Sequence, residues 1–494
     1  MERPRQSLAE AARTRGTSWK SKRTVSDMGA SPHKEMSPSP SLTRYGAFVV
    51  VWVLVLSFQY GYHISALNQL QSVLTCHNVV PDSLYYGLPT CMPMTDATFS
   101  LVTSMFTFGG LFGCLSANLI MDRYGRNSAT RFSALFNTAG AAISGLAPSV
   151  APMALGRFLV GVAAGIGICV GPIYLSEIAP PQIKGSLGVL TQLAIVVGIL
   201  VTQGIGFGLA TPTQWRLVLL ISAALSAVQY LLAPAIVESP AYLIRNGLTA
   251  ERKAALRSLW GLDAPQDPED LDEEPLLTSS NEADGVPRTE QAAAVTIPEL
   301  LASPELRSPL LTVVFAMASQ QLSGINAVLY YSNNILSKSL PELAAYVSLG
   351  ISVVNVLMTF PPIFLIERVG RKQLFHWSVG GALLSHLAVG YGLNSGWVAV
   401  TSVAITTFVM SFAIGLGPVP FVIIPEVAPL HAVSAISSVG LSMSWIINFF
   451  VGLVFLQVRN LLAHGDPMKE GRVFYVFAAV LFCSAWSFSR LYRG

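Results

Sequence analysis

Apolar runs of about 20 residues, the length a helix needs to cross the hydrocarbon of a bilayer, recur along this chain and leave few folds open. In hydrocarbon every backbone N–H and C=O must find its partner inside the protein, so runs of this length are helices packed on one another. They fall near residues 45–67, 97–121, 129–149, 153–175, 186–209 and 215–237, and again near 309–336, 343–366, 374–393, 397–423, 434–457 and 473–490. The pattern predicts an all-α membrane protein with twelve transmembrane helices in two sets of six. Composition agrees: 52% of the 494 residues are hydrophobic and 12% charged, about half the charged share of an ordinary soluble domain. A net charge of +3 offers little to a nucleic acid, and five cysteines are too few for a disulfide scaffold.

Outside the runs, residues 1–44 read as a disordered basic tail and 45–240 as the first half. Residues 241–308 form a cytosolic linker, helical at its start and finish, with an acidic flexible insert at 263–290; residues 309–494 form the second half. Lys and Arg crowd the tail, the loops after the second and eighth runs and the linker, while loop 68–96 has none. By the positive-inside rule both termini are cytosolic. Cys76 and Cys91 share that Lys- and Arg-free loop; they pair if it faces an oxidising side, or remain two thiols.

Two motif types recur in order. DRYGR at 122–126 is matched by ERVGR at 367–371, and SEIAP at 176–180 by PEVAP at 425–429. A repeat of this kind is the mark of two parallel six-helix halves with a substrate site between them. Together with GRFLVG (156–161), VESP (237–240), QQLSGINAVLYYS (320–332), GLGPVPF (415–421) and FQYGYHISALN (58–68), these motifs resemble the sugar porter family of the major facilitator superfamily, most closely its facilitative hexose transporters. The resemblance spans about residues 45–490. It implies a hexose carrier (glucose, fructose or a related monosaccharide) working by alternating access, without a cofactor or metal. No HExxH, GxSxG or P-loop pattern points to an enzyme.

Amides in an apolar run are costly unless they face a wet cavity or another helix. On an ideal helix Gln320, Gln321 and Asn326 fall at about 0°, 100° and 240°, so one straight face cannot present all three. Either one packs elsewhere or the helix breaks near Ser323-Gly324. The resemblance implies the break and a sugar beside it, whose hydroxyls suit amides that carry both donors and acceptors. It also places Gln192, Asn355, Phe421, Trp445 and Asn448 around the sugar, with Gln203 either lining the pocket or packing between helices. Phe421 stands where glucose carriers usually have Trp, and Met317 where glucose-selective members have Gln, so fructose or a broader range is open.

His63 stands where proton-coupled members carry Asp and many uniporters Asn. The span interiors hold no Asp or Glu, which favours downhill transport; a proton symporter through His63 is a third reading. At the cytosolic ends, Arg123, Arg126, Glu177, Lys184 and Glu238 of the first half and Glu367, Arg368, Arg371 and Glu426 of the second are positioned to form a gate. The second half is depleted: Val433 and Ala241 replace family arginines, and relatives continue past SRLYRG. A transporter-like sugar sensor is therefore the runner-up reading. Gly161/Gly165 and Gly167/Gly171 have the spacing that lets helices approach closely. DEEPLL at 272–277 sets Asp272 four residues before Leu276-Leu277, resembling an adaptor-read sorting signal and implying a vacuolar or endosomal pool beside the plasma membrane.

Overall fold

The computed structural model describes residues 42–76, 83–180, 184–261, 297–337, 343–429 and 432–492. The first half is built from α1 (Arg44–Ser65), a single turn α2 (Gln71–Leu74), a small hairpin of β1 (Leu84–Tyr85) and β2 (Leu88–Pro89), α3 (Asp96–Tyr124), α4 (Arg126–Gly145), α5 (Val150–Ile178), α6 (Lys184–Leu209) and α7 (Trp215–Leu232). Three short helices follow, α8 (Pro240–Arg245), α9 (Thr249–Trp260) and α10 (Ile297–Ala302). The rest comprises α11 (Arg307–Leu322), α12 (Ile325–Ser337), α13 (Ala344–Leu357), α14 (Pro361–Val369), α15 (Arg371–Asn394), α16 (Val398–Ser411), α17 (Val419–Val427), α18 (Val433–Ala463) and α19 (Arg472–Leu491). Among the described residues, nine stretches are long and apolar enough to cross a membrane.

Every run expected to be helical is helical, but three are interrupted. The run at 309–336 stops at Leu322 and resumes at Ile325. That at 343–366 breaks between Leu357 and Pro361, where proline removes a backbone donor and disfavours helix before it. That at 397–423 passes through a π turn, Phe412–Leu416, before Pro418. Apolar length registers none of these breaks, because each run stays mainly apolar through them; only the amide angles around Ser323-Gly324 left one of them open. The hairpin in loop 83–89 also went unforeseen; the same loop carries a Cys76–Cys91 disulfide.

Glycine sets the close contact of α3 with α5. A Cβ on Gly161 would fall 2.0 Å from Phe106 O, and one on Gly165 2.1 Å from Gly110 O. Gly109 and Gly113 on α3 return the contact, at 2.0 Å from Phe158 O and 2.1 Å from Val162 O. Backbones this close exclude any side chain. Gly167 and Gly171 instead meet α1 at ordinary distances, 3.4 Å from Leu56 Cβ and 3.6 Å from Ser57 Oγ.

The repeated motif is one backbone turn made twice. Gly125 (φ +86°) and Gly370 (φ +87°) both occupy a region L side chains avoid, and each begins the next helix. Following α3 from Asp96 to Tyr124, about 1.5 Å per residue puts roughly 40 Å between the motif end of the bundle and the opposite end.

Candidate functional site

The break in α11–α12 is what gathers the amides. Gly324 (φ +76°) turns the chain, and a Cβ there would sit 3.0 Å from Phe477 Cδ1. The freed carbonyls find partners: Ser323 Oγ donates to Gln320 O (2.6 Å), and His386 Nε2 lies 2.8 Å from Ser323 O. The interruption at the π turn is tied to this one. Gln320 Nε2 donates to Leu416 O (3.1 Å) and Gly417 O (2.8 Å), carbonyls at the π turn. Gln321 is a hub, its Nε2 donating to Ser444 Oγ (2.8 Å) and Gln320 Oε1 (3.2 Å) while its Oε1 accepts from Asn326 Nδ2 (2.6 Å).

These groups wall a cavity of about 130 Å³, room for several water molecules. All eight residues expected around a substrate line it: Gln192, Gln320, Gln321, Asn326, Asn355, Phe421, Trp445 and Asn448. The turn at Gly324 is how three amides at incompatible helical angles reach one space. Tyr60 and Ser444 line it as well and were not foreseen as site residues, since a lone Tyr or Ser in an apolar run carries no distinctive pattern. Isoleucines 64, 168, 195 and 199 complete an apolar wall with few convergent polar groups, the usual make-up of a small-molecule site. Trp445 meets Tyr60 edge-on at 5.9 Å and fits only because Gly110 has no side chain: a Cβ there would lie 2.3 Å from its ring. Asn448 Oδ1 accepts from Tyr330 OH (3.3 Å).

His63 and Gln203 do not reach the cavity. His63 is buried in the first half, its Nε2 2.6 Å from Ser222 Oγ, in a network with Gln59, Asn137 and Ser226. Its carbonyl accepts from both terminal nitrogens of Arg157 (3.2 Å each), a buried guanidinium that also lies 4.8 Å over the Phe106 ring. Among the described residues Arg157 has no carboxylate partner.

At the motif end the gate candidates pair by repeat. Arg126 grips Glu177 with two bonds, Nε to Oε2 (2.8 Å) and Nη2 to Oε1 (2.7 Å), and Ser239 Oγ donates to the same carboxylate. In the second half Arg371 Nε lies 2.7 Å from Glu426 Oε1, an ion pair without hydrogen-bond alignment. Glu238 caps α4 by accepting from the backbone N–H of Arg126 (2.8 Å) and Asn127 (3.1 Å). Burial pushes its carboxyl above the usual carboxylate range, although those N–H groups pull the other way. Arg123 lies 5.4 Å over the Tyr124 ring, and Arg368 is exposed. The side chains of Lys184 and Glu367 fall outside the described residues, as does the 263–290 insert.

Among the described residues, the ion pair that bridges the two halves lies at the opposite end, where no sequence cue points to it; toward the motif end a hydrogen bond crosses instead, Asn118 Nδ2 donating to Ser438 Oγ (3.3 Å). Arg459 of α18, only 4% exposed, reaches Asp96 of α3 (3.2 Å) and approaches Glu470 (4.0 Å). Asn460 Nδ2 also donates to Asp96 (3.1 Å), Asn68 Nδ2 to Ser348 Oγ (3.3 Å) and Gln69 Nε2 to Ala345 O (3.4 Å). Charges at loop edges are indistinguishable in sequence from solvated ones.

The family model described as "Sugar (and other) transporter" matches residues 49–489. The chain belongs to the sugar transporter family. It is a transporter, not an enzyme, and a multi-pass membrane protein. This transporter is 30% identical over 453 residues to a probable metabolite transport protein of Saccharomyces cerevisiae, covering 89% of this chain and 91% of that one. It is 34% identical over 422 residues to facilitated glucose transporter member 5 of solute carrier family 2 from Homo sapiens, covering 82% and 81%. In structure it is similar to the xylose transporter XylE from E. coli in a partially occluded inward open conformation (TM-score 0.69, 18% identity, 90% of this chain and 98% of that one). That likeness gives the transporter the major facilitator fold.

Proposed function

We propose that this transporter moves a hexose by alternating access, as a facilitative uniporter, through the cavity at the two helix interruptions. The observation that carries this reading is the amide cluster of Gln320, Gln321 and Asn326, joined by Gln192, Asn355 and Asn448 in one apolar-walled space. Asn326 Oδ1, Asn448 Nδ2 and the Gln192 and Asn355 amides have no partner among the described residues, so a sugar's hydroxyls have both donors and acceptors to meet. Counting α11–α12, α13–α14 and α16–α17 as interrupted spans, with α4 and α15 added to the continuous ones, gives twelve crossings in two halves. Recurrence of the glycine turn and of the Arg–Glu pair supports the twofold plan. The motif end is cytosolic in this scheme, and a disulfide in loop 68–96 is in keeping with an oxidising opposite side.

Among the described residues, an ion pair that joins the halves at the non-cytosolic end, beside cytosolic-end ion pairs that stay within each half, supports an inward-facing state. Gln192, Gln320, Gln321, Asn326, Asn355, Phe421, Trp445 and Asn448 are the substrate residues; Arg126, Glu177, Glu238, Arg371 and Glu426, with Arg123, Lys184, Glu367 and Arg368, form the cytosolic gate.

A panel of labelled sugars offered to reconstituted vesicles tests the reading; no saturable uptake of any hexose would overturn it. Uniport has its own test. Among the described residues Arg157 has no carboxylate beside it to take up and release a proton, so an imposed pH gradient is expected to leave hexose at the external concentration. Accumulation above that level, abolished by His63→Asn, would make the carrier a symporter. The dileucine at Leu276-Leu277 with Asp272 is the proposed adaptor-read signal. Replacing both leucines by alanine is expected to move a fluorescent fusion from internal membranes toward the plasma membrane, and an unchanged distribution would remove the sorting role.

A further inference from the structure

Away from the sugar cavity, α18 sets apolar residues from Ile447 to Val458 at spacings of three and four, and α19 does the same from Val473 to Val480. Such spacing lays each series along one helix face. The two faces and Leu322, the last residue of α11, line a cleft of about 290 Å³ in which every residue is apolar. Phe450, Val454, Val476 and Val480 on its rim are exposed, and both helices are apolar enough to cross a membrane. The cleft therefore opens sideways onto bilayer hydrocarbon.

Its inner wall is the Phe477 ring, the ring against which a Cβ on Gly324 would stand at 3.0 Å. His386, which holds the freed Ser323 carbonyl, has its ring 6.4 Å from the same Phe477. Cleft, ring and helix break are thus in series.

We propose that the cleft binds one acyl chain of a bilayer phospholipid, and that the chain braces Phe477 against the break at Gly324. Water has no polar partner there, and an irregular peptide would carry unsatisfied amides into hydrocarbon. Lipid is as apolar as the cleft, so occupancy is driven by dispersion contacts that an unfilled cleft forgoes. A chain seated on Phe477 resists movement of that ring and so resists rearrangement of the break. Only this bracing role rests on the transport reading; the site itself does not.

The test uses the intact transporter in phosphatidylcholine vesicles containing phosphatidylcholine with a diazirine in mid-acyl chain. After irradiation, adducts are mapped by peptide mass spectrometry. Adducts at Phe450, Val454, Val476 and Val480 are expected to exceed severalfold those at Leu384 and Val403, which are more exposed but lie outside this cleft. Val454→Trp, which fills the rim, should reduce labelling at Val476 and Val480 while Leu384 and Val403 keep theirs. Equal labelling of cleft and control positions would overturn the site. Full protection by cholesterol or free oleate at low mole fraction would overturn the phospholipid assignment. Because labelling needs no sugar, a transporter inactive toward every hexose leaves the test valid. For the brace, Val454→Trp should alter the rate of sugar exchange severalfold at unchanged sugar affinity, and an unchanged rate would discard it.

Discussion

Gln321→Ala is expected to weaken hexose binding by roughly 1–3 kcal/mol, about 5- to 150-fold in Kd, with little loss of folded protein. The reason is its position as the hub between Ser444, Gln320 and Asn326: without it, Asn326 Nδ2 and Ser444 Oγ each lose a partner inside the cavity, where water can replace it in the empty state but a bound sugar cannot. Gln320→Ala should behave differently. Its amide N–H groups hold Leu416 O and Gly417 O, backbone acceptors exposed by the π turn, so alanine there leaves two carbonyls short of a donor and loosens the joint between α11 and α17. Affinity and thermal stability should fall together for Gln320→Ala and separate for Gln321→Ala. Sugar binding and melting temperature on purified protein read both; unchanged affinity in Gln321→Ala would remove these amides from the substrate site.

Arg459→Ala should shift the transporter toward the outward-open state. The guanidinium is nearly buried and Asp96 is partly exposed (4% and 39%), so the pair falls between the negligible surface case and the costly buried one. About 1–3 kcal/mol of bias is a change of roughly 5- to 150-fold in the ratio of the two states. A cysteine at Ile64, on the cavity wall, would report it: a thiol reagent added from the non-cytosolic side should react faster when Arg459 is alanine. Exchanging the two partners, Asp96→Arg with Arg459→Asp, should restore slow labelling. If Arg459→Ala labels no faster than the parent, the pair does not hold that end closed.

How much of this was legible in the chain varies with the physics. Hydrocarbon forces backbone satisfaction into helices, so the spans could be read from apolar length alone. The cavity was readable because an amide in a greasy run has few excuses; Gln321 and Asn448 announce themselves by cost. The turn at Gly324 was legible only as one of two alternatives, since angle arithmetic shows that a straight helix fails without saying where the backbone yields. Arg459 with Asp96 was invisible: the partners are 363 residues apart and each sits at a helix end where a charge needs no explanation. Arg157 was seen as part of a motif, but its place against the His63 carbonyl required the packing of α5 on α1.

The paired glycines of the repeated turn are not equally constrained. Gly125 needs both its positive φ and the missing Cβ, which would lie 2.4 Å from Glu238 Oε2; at Gly370 the φ is the demand, with no described atom within 4 Å of a Cβ. With ψ near 151° and 175°, both lie outside the left-handed helical region that asparagine visits, so the backbone alone reserves each position for glycine. Two copies of one inherited pattern are thus held by different means: one turn by its backbone alone, the other also by the carboxylate that caps the helix beside it.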